Sequence, residues 1–274
     1  MNQHALEVSQ GKRFEFGKNW RRFLTVLDNE RIFEAENSLK LMLGMESLNG
    51  KTFLDIGSGS GLFSLAARRL GANVVSFDYD PDSVACTVEL KKRYFDNDAK
   101  WEIAQGSVLD ENYVTSLGQF DIVYSWGVLH HTGDMWKALH NAKLAVKEGG
   151  LLFIAIYNDQ GPISTFWKTV KRTYCSGPIK KFLVTVGLVP VFIIGGFFID
   201  LAHKHNPFKR YTGYKSKRGM SFLRDWIDWF GGYPFEVAKP EEIFEFYQKY
   251  GFSLTRLKTK NGMGCNEFVF RKNS

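Results

Sequence analysis

A short apolar run, Thr52 to Ile56, leads straight into Gly57-Ser58-Gly59-Ser60-Gly61, and Leu62 to Leu70 then carries helical spacing until Gly71 stops it. Strand, glycine turn and helix in that order leave few choices, because glycine lets the backbone turn sharply and come close to a ligand at the helix start. The pattern repeats downstream. Strand Asn73 to Phe77 ends in an acidic turn and a helix after Pro81; strand Trp101 to Gln105, strand Phe120 to Tyr124, helix Asp134 to Val146 and strand Leu151 to Tyr157 follow. Such alternation predicts parallel β-α-β units with helices on both faces of one sheet. Near the end, helix Pro240 to Tyr250 precedes two strand-like runs, Phe252 to Leu257 and Asn266 to Phe270, which predict an antiparallel hairpin.

The segments flanking this pattern differ in kind. Phe14 to Gly44 reads as helical, with Trp20, Phe23, Leu24, Leu27, Ile32 and Phe33 near three-to-four spacing, so residues 1–49 are expected to form a helical cap. Residues 50–157 form the expected core, 158–236 an insertion, and 237–274 a helix and hairpin completing the core. The net charge of +7 is not evenly spread. Residues 1–157 carry 17 Lys and Arg against 20 Asp and Glu, residues 158–224 carry 12 against only Asp159 and Asp200, and residues 225–274 balance at 7 against 7. The basic excess therefore marks one local surface for phosphate, anionic lipid or an acidic substrate.

The insertion also contains Phe182 to Ile199, eighteen residues without a charge, between Lys180-Lys181 and His203-Lys204-His205. That length reaches the lower end of a membrane span. Pro190, the Gly195-Gly196 pair and the presence of core sequence on both sides oppose a single crossing. A hairpin in one leaflet, an interfacial helix or a buried apolar lid remain as readings. Hydrophobic residues at 44% and charged residues at 24% are globular values, and the aromatic share of 15% suggests an apolar or stacking surface. The first sixteen residues lack a signal-like apolar stretch, which predicts a cytoplasmic location, peripheral to the membrane if the insertion reaches it. Cys86, Cys175 and Cys265 are far apart and read as ordinary buried thiols, and no metal-ligand cluster is visible.

Asp78 lies seventeen residues beyond Gly61, at the end of the second strand, where a carboxylate is suited to accept from a pair of ribose hydroxyls. Its alternative is a solvated turn residue before Pro81. Taken together, Leu54-Asp55-Ile56-Gly57-Ser58-Gly59-Ser60-Gly61 resembles motif I of the class I S-adenosylmethionine (SAM) dependent methyltransferases. Ser76-Phe77-Asp78-Tyr79-Asp80 is similar to their ribose-binding loop, Gln105-Gly106-Ser107-Val108 to the loop beside adenine, and Phe120 to Trp126 to the fourth strand and its exit. Gly149-Gly150-Leu151-Leu152-Phe153-Ile154 resembles their fifth strand. Val128-Leu129-His130-His131 points, within that class, to methylases resembling the ubiquinone-biosynthesis O-methyltransferases.

The resemblance implies a Rossmann-like, doubly wound, mostly parallel seven-stranded sheet with a C-terminal antiparallel hairpin, an N-terminal cap and a large insertion after the fifth strand. It implies SAM as cofactor, with Asp55, Gly57, Ser58, Gly59 and Gly61 facing the methionine part. Asp78 and Tyr79 would face the ribose, Gly106, Ser107 and Val108 the adenine, and Ser125 and Trp126 the site from the fourth-strand exit. SAM needs carboxylate and amide groups for its zwitterion, an acidic acceptor for its diol and an apolar slot for its base, and these residue types supply them.

Methyl transfer from a sulfonium needs an aligned nucleophile and a dry pocket, and a hydroxyl nucleophile also gains from a general base. His131, and next to it His130, are the candidates; the alternative is a pair bonded to backbone at the start of a helix. Tyr157, Asn158, Arg218, Trp226 and Tyr233 are candidate substrate contacts, with ordinary packing as the alternative. Three functions fit: O-methylation of a small, apolar or lipid-linked acceptor; RNA methylation through the basic insertion, which predicts strong salt dependence; and SAM-binding regulation without turnover. Ser125-Trp126-Gly127-Val128 lacks the Asn-Pro-Pro-Tyr-like signature of base amino-group methylation.

Overall fold

The structure is a computed structural model that describes residues 3–202 and 229–273. By internal contacts it divides into a unit of residues 15–164 and 235–274 and a second of residues 1–14 and 165–234.

The larger unit is built on seven strands: β1 (Thr52–Ile56), β2 (Asn73–Asp78), β3 (Trp101–Gln105), β4 (Phe120–Trp126), β5 (Val146–Tyr157), β6 (Phe252–Lys258) and β7 (Cys265–Lys272). Their order is β3-β2-β1-β4-β5-β7-β6. Strands β1 to β5 pair in parallel, while β7 runs antiparallel between β5 and β6. The expected α/β sheet with its C-terminal hairpin is therefore present, the hairpin lying with β7 inward.

Side chains alternate across this sheet, so each strand feeds two cores. Leu54 and Ile56 of β1, Val123 of β4, Ile154 of β5 and Phe268 and Phe270 of β7 point into a core shared with α6 (Glu111–Ser116), α7 (Met135–Leu144) and α10 (Pro240–Lys249). Phe53, Ile122, Tyr124, Phe153 and Val269 occupy the opposite face with α3 (Asn29–Leu43), α4 (Leu62–Arg69) and α5 (Pro81–Tyr94). This is why the strands read as nearly continuous apolar runs.

Two local departures have clear causes. The helical reading of Phe14 to Gly44 resolves into α2 (Phe16–Phe23) and α3, because the Asp28 side chain accepts the Arg31 amide and starts a new helix. Strand β5 begins at Val146 rather than Leu151: Lys147 to Gly150 belong to a bulge in which the register with β4 jumps from Phe120↔Val146 to Ile122↔Leu151, with Gly149 at φ 71°.

In the smaller unit, α1 (Gln3–Ser9), α8 (Pro162–Cys175, of which residues from 165 belong here) and α9 (Pro178–Ala202) are described. Trp167, Tyr174 and Phe230 form a buried aromatic nucleus, and Phe192 of α9 packs on Trp167 and Phe230 with ring centroids 5.9 and 5.8 Å away. The Lys171 ammonium is buried here, donating to the Trp229 carbonyl, and burial pulls its pKa down to about 7. Gly231 meets Phe14 so closely that a Cβ would lie 2.1 Å from the ring. Cys86 and Cys265 are buried as expected, whereas Cys175 is half-buried.

Candidate active site

The exits of β1, β2 and β4 lie side by side, and the glycine turn is where they meet. Gly57, Gly59 and Gly61 all have positive φ, at 77°, 56° and 80°. Space forbids a side chain there as strictly as the dihedrals do. A Cβ on Gly57 would lie 2.3 Å from Val128 Cγ1, and one on Gly61 2.9 Å from Thr87.

Most of the amides of this turn are engaged within the protein. The Gly57 and Ser58 N–H groups donate to the Phe77 carbonyl at 2.8 and 3.1 Å, and Gly61 N–H to the Ser58 carbonyl at 2.8 Å. Gly59 N–H donates to Asp78 Oδ2 at 2.9 Å, which ties the turn to the acidic residue across from it. These donors hold the loop's own shape, as buried backbone groups must be satisfied. The Ser58 hydroxyl pairs with that of Thr87 at 2.9 Å.

Two carboxylates stand beside this turn. Asp55 is buried and accepts from the Ser64 hydroxyl at 2.5 Å; burial raises its pKa to about 7, with the nearby Asp78 charge adding to the effect. Asp78 accepts from the Gly59 and Asp80 amides, yet burial still lifts it to about 6. Among the described residues, neither is paired with a lysine or arginine. Two desolvated carboxylates without a basic partner fit a ligand that brings its own positive charge and hydroxyl donors, as SAM does.

Around them, Tyr79 is half-buried and its carbonyl accepts from the Gln105 amide at 3.2 Å. Gly106 N–H donates to the Asp78 carbonyl at 3.0 Å, and a Cβ on Gly106 would lie 2.1 Å from the Tyr113 ring. Ser107 turns its hydroxyl to the Leu109 amide, and Val108 is buried with its carbonyl held by Asn141. The Ser125 hydroxyl donates to the Ile56 carbonyl at 2.9 Å, joining the exits of β1 and β4, while Trp126 stands exposed.

Beyond Val128 the chain makes one tight turn, Leu129–His131, that carries both histidines. His130 is fully buried, its ring centroid 4.0 Å from that of Tyr157 and 4.5 Å from that of His131. His131 sits at the margin of burial between Phe16, at 5.0 Å, and Tyr157, at 5.5 Å, and Tyr157 in turn meets Phe235 at 5.2 Å. Burial raises the Tyr157 hydroxyl above its usual range. Phe16, His131, Tyr157 and Phe235 thus form an aromatic wall at the carboxyl ends of β4 and β5, where parallel sheets bind ligands.

Of the remaining candidates, Asn158 directs its side-chain amide to the Lys260 and Gly262 carbonyls and so secures the β6–β7 turn. Tyr233 belongs to the smaller unit, where its carbonyl accepts the Phe14 amide at 2.8 Å. Arg218 and Trp226 lie outside the described residues. Several contributors escaped sequence reasoning. Trp20 of α2 lies against the glycine turn, its ring 3.0 Å from where a Gly59 Cβ would stand. Gly17 N–H donates to Asp80 Oδ2 at 2.7 Å, and Glu236 accepts the Gly133 and Met135 amides beside the histidine turn. None of these carries a local motif; each is recognisable only through a contact distant in sequence.

Residues 29–189, more than half the chain, match the family described as "Methyltransferase domain". The chain is 34% identical over 116 residues to a ubiquinone biosynthesis O-methyltransferase of Methylobacterium sp. (strain 4-46), covering 42% of this chain and 45% of that protein. To the enzyme of the same name from Glaesserella parasuis serovar 5 it is 32% identical over 111 residues, covering 40% and 47%. The chain thus matches less than half the length of these relatives. Among solved structures, the magnesium protoporphyrin IX methyltransferase of Synechocystis PCC 6803 with bound SAH superposes with a TM-score of 0.54 at 13% identity, covering 88% of this chain and 83% of that one. The N-methyltransferase NodS of Bradyrhizobium japonicum WM9, in complex with SAH, gives 0.52 at 14% identity, covering 95% and 100%. These two share the fold. With the glycine turn, the paired carboxylates and the strand order in place, the match over residues 29–189 settles the family: the chain belongs to the methyltransferase domains, on a Rossmann-like fold.

Proposed function

We propose that this methyltransferase transfers a methyl group to an oxygen of a small, flat, largely apolar acceptor, with His131 as general base. The observation that carries this reading is the aromatic wall of Phe16, His131, Tyr157 and Phe235, in which the His131 imidazole lies between the Phe16 and Tyr157 rings. The relatives named as ubiquinone biosynthesis O-methyltransferases support an oxygen acceptor.

In this reading Asp78 accepts from the ribose diol of SAM, Asp55 lends negative charge to its cationic amino-acid end, and Trp20 closes over the glycine turn. Bound SAM supplies an electrophilic methyl on a sulfonium. His131 takes the acceptor's hydroxyl proton on a ring nitrogen as the oxygen–methyl bond forms and the sulfonium–methyl bond breaks, which leaves the neutral thioether. His130, enclosed between His131 and Tyr157, positions its neighbour rather than touching the acceptor.

Turnover of labelled SAM with catechols and hydroxyquinones of graded apolarity tests the reading, with amines, thiols and RNA as competitors. Product methylated on oxygen is expected, and His131→Asn should lower kcat about 100-fold with SAM affinity intact. Methylation confined to nitrogen, sulfur or RNA, or an unchanged kcat in His131→Asn, would overturn it.

A further inference from the structure

The smaller unit presents a surface that contradicts the usual rule for a solvent-facing helix. In α9, Ile179, Phe182, Leu183, Val186, Val191, Ile194, Phe197, Phe198 and Leu201 are exposed, several by more than 60%. They recur at three-to-four spacing along one side of the helix, while Phe192 on the other side packs into the aromatic nucleus of its own unit. A helix held by one face normally turns polar residues outward; this one turns out its apolar stripe. The helix runs unbroken through Pro190, which opposes a hairpin, and its exposed stripe speaks against a buried lid.

We propose that α9 docks this protein on a membrane surface bearing anionic lipids, lying in the plane of the interface with its apolar stripe among the acyl chains. The charges around it fit that occupant. Lys180 and Lys181 at its start and Lys168 and Arg172 on α8 are exposed. From residue 158 to 224 the acids are only Asp159 and Asp200, and Asp200 is buried. Basic groups beside an inserted apolar face are what anionic headgroups attract.

Topology fixes the orientation. The chain before α9 enters β5 and the chain after it enters β7, and these strands pair residue by residue from Leu151↔Arg271 to Tyr157↔Cys265. A single crossing would place the two strands on opposite sides of the bilayer. A return crossing needs another long uncharged run, and residues 203–264 hold none longer than seven. An in-plane helix of about 38 Å meets both conditions. The inference is independent of which atom is methylated.

Flotation of the full chain with phosphatidylcholine vesicles, with and without phosphatidylglycerol, tests it. The protein should float with the anionic vesicles, less so in 1 M salt or with phosphatidylcholine alone. Leu183→Glu/Ile194→Glu should reduce flotation at least tenfold with SAM binding and circular dichroism unchanged, and Lys180→Glu/Lys181→Glu should remove the preference for anionic lipid. Protein that stays at the bottom of the gradient overturns the proposal. So does a homodimer in sedimentation equilibrium that Leu183→Glu/Ile194→Glu dissociates without any vesicle binding, since a second copy would then cover the stripe. Bound protein that resists alkaline carbonate extraction overturns the in-plane orientation.

Discussion

With Asp55 and Asp78 as the proposed cofactor contacts, binding becomes a proton-linked event. Both carboxyls are held above their ordinary value of 3.8, at about 7 and about 6, mainly because burial penalises the charged form. The folded protein without ligand therefore binds protons that the unfolded chain has already released between about pH 4 and pH 7. This contribution to stability is fully present below 3.8 and is lost as pH rises through 6 to 7. A cationic ligand reverses the preference, because it favours both carboxylates ionised. SAM affinity should accordingly weaken as pH falls through about 7 and then about 6. Calorimetry in two buffers of different ionisation heat should show protons released on binding at pH 6 and essentially none at pH 8.5. Release that persists undiminished in Asp55→Asn/Asp78→Asn would show that other groups carry the linkage.

At the scale of elements, α2 is the piece whose role depends on a single atom's absence. A Cβ on Gly17 would lie 2.4 Å from Asp82 Cβ and 2.9 Å from the Ser83 nitrogen, so any side chain levers α2 off the start of α5. Trp20, one turn further, would leave the glycine turn with it. Gly17→Val should cost about 1–3 kcal/mol of stability, as overpacking does, and reduce the thermal shift produced by SAM far more than the shift in unliganded melting temperature. Equal losses with and without SAM would make α2 mere packing. Such contacts mark the limit of what the sequence discloses. The glycine turn and Asp78 are legible because their chemistry is local: a strand, a turn and a carboxylate within a few tens of residues. Trp20, Phe16 and Phe235 are not, since each acts on a partner far along the chain. The start of β5 was hidden for another reason, as Lys147-Glu148-Gly149-Gly150 has turn composition and only pairing with β4 makes it strand. For α9, composition left three readings open, and it is the unbroken helix with its exposed stripe, Phe192 packing on the opposite side, that supports the interfacial one proposed above.

For the whole molecule, the family match and the folding unit have different limits. The match ends at residue 189, yet the sheet is incomplete without β6 and β7. Ile243, Tyr247, Phe252, Phe268 and Phe270 are buried in the same core as Leu54, Ile56 and Val123, and the Tyr247 hydroxyl donates to the Leu139 carbonyl at 3.2 Å. A chain cut after residue 189 would bare the edge of β5, from Leu151 to Tyr157, together with the core surface that α10 covers. Long apolar edges of that kind recruit other strands. The fragment of residues 1–189 should therefore be aggregated or lack a cooperative melting transition, and adding residues 235–274 as a separate peptide should restore part of the ordered signal in near-ultraviolet circular dichroism. A soluble fragment that melts cooperatively and binds SAM would show instead that the matched region folds alone, with β5 protected by something other than β7.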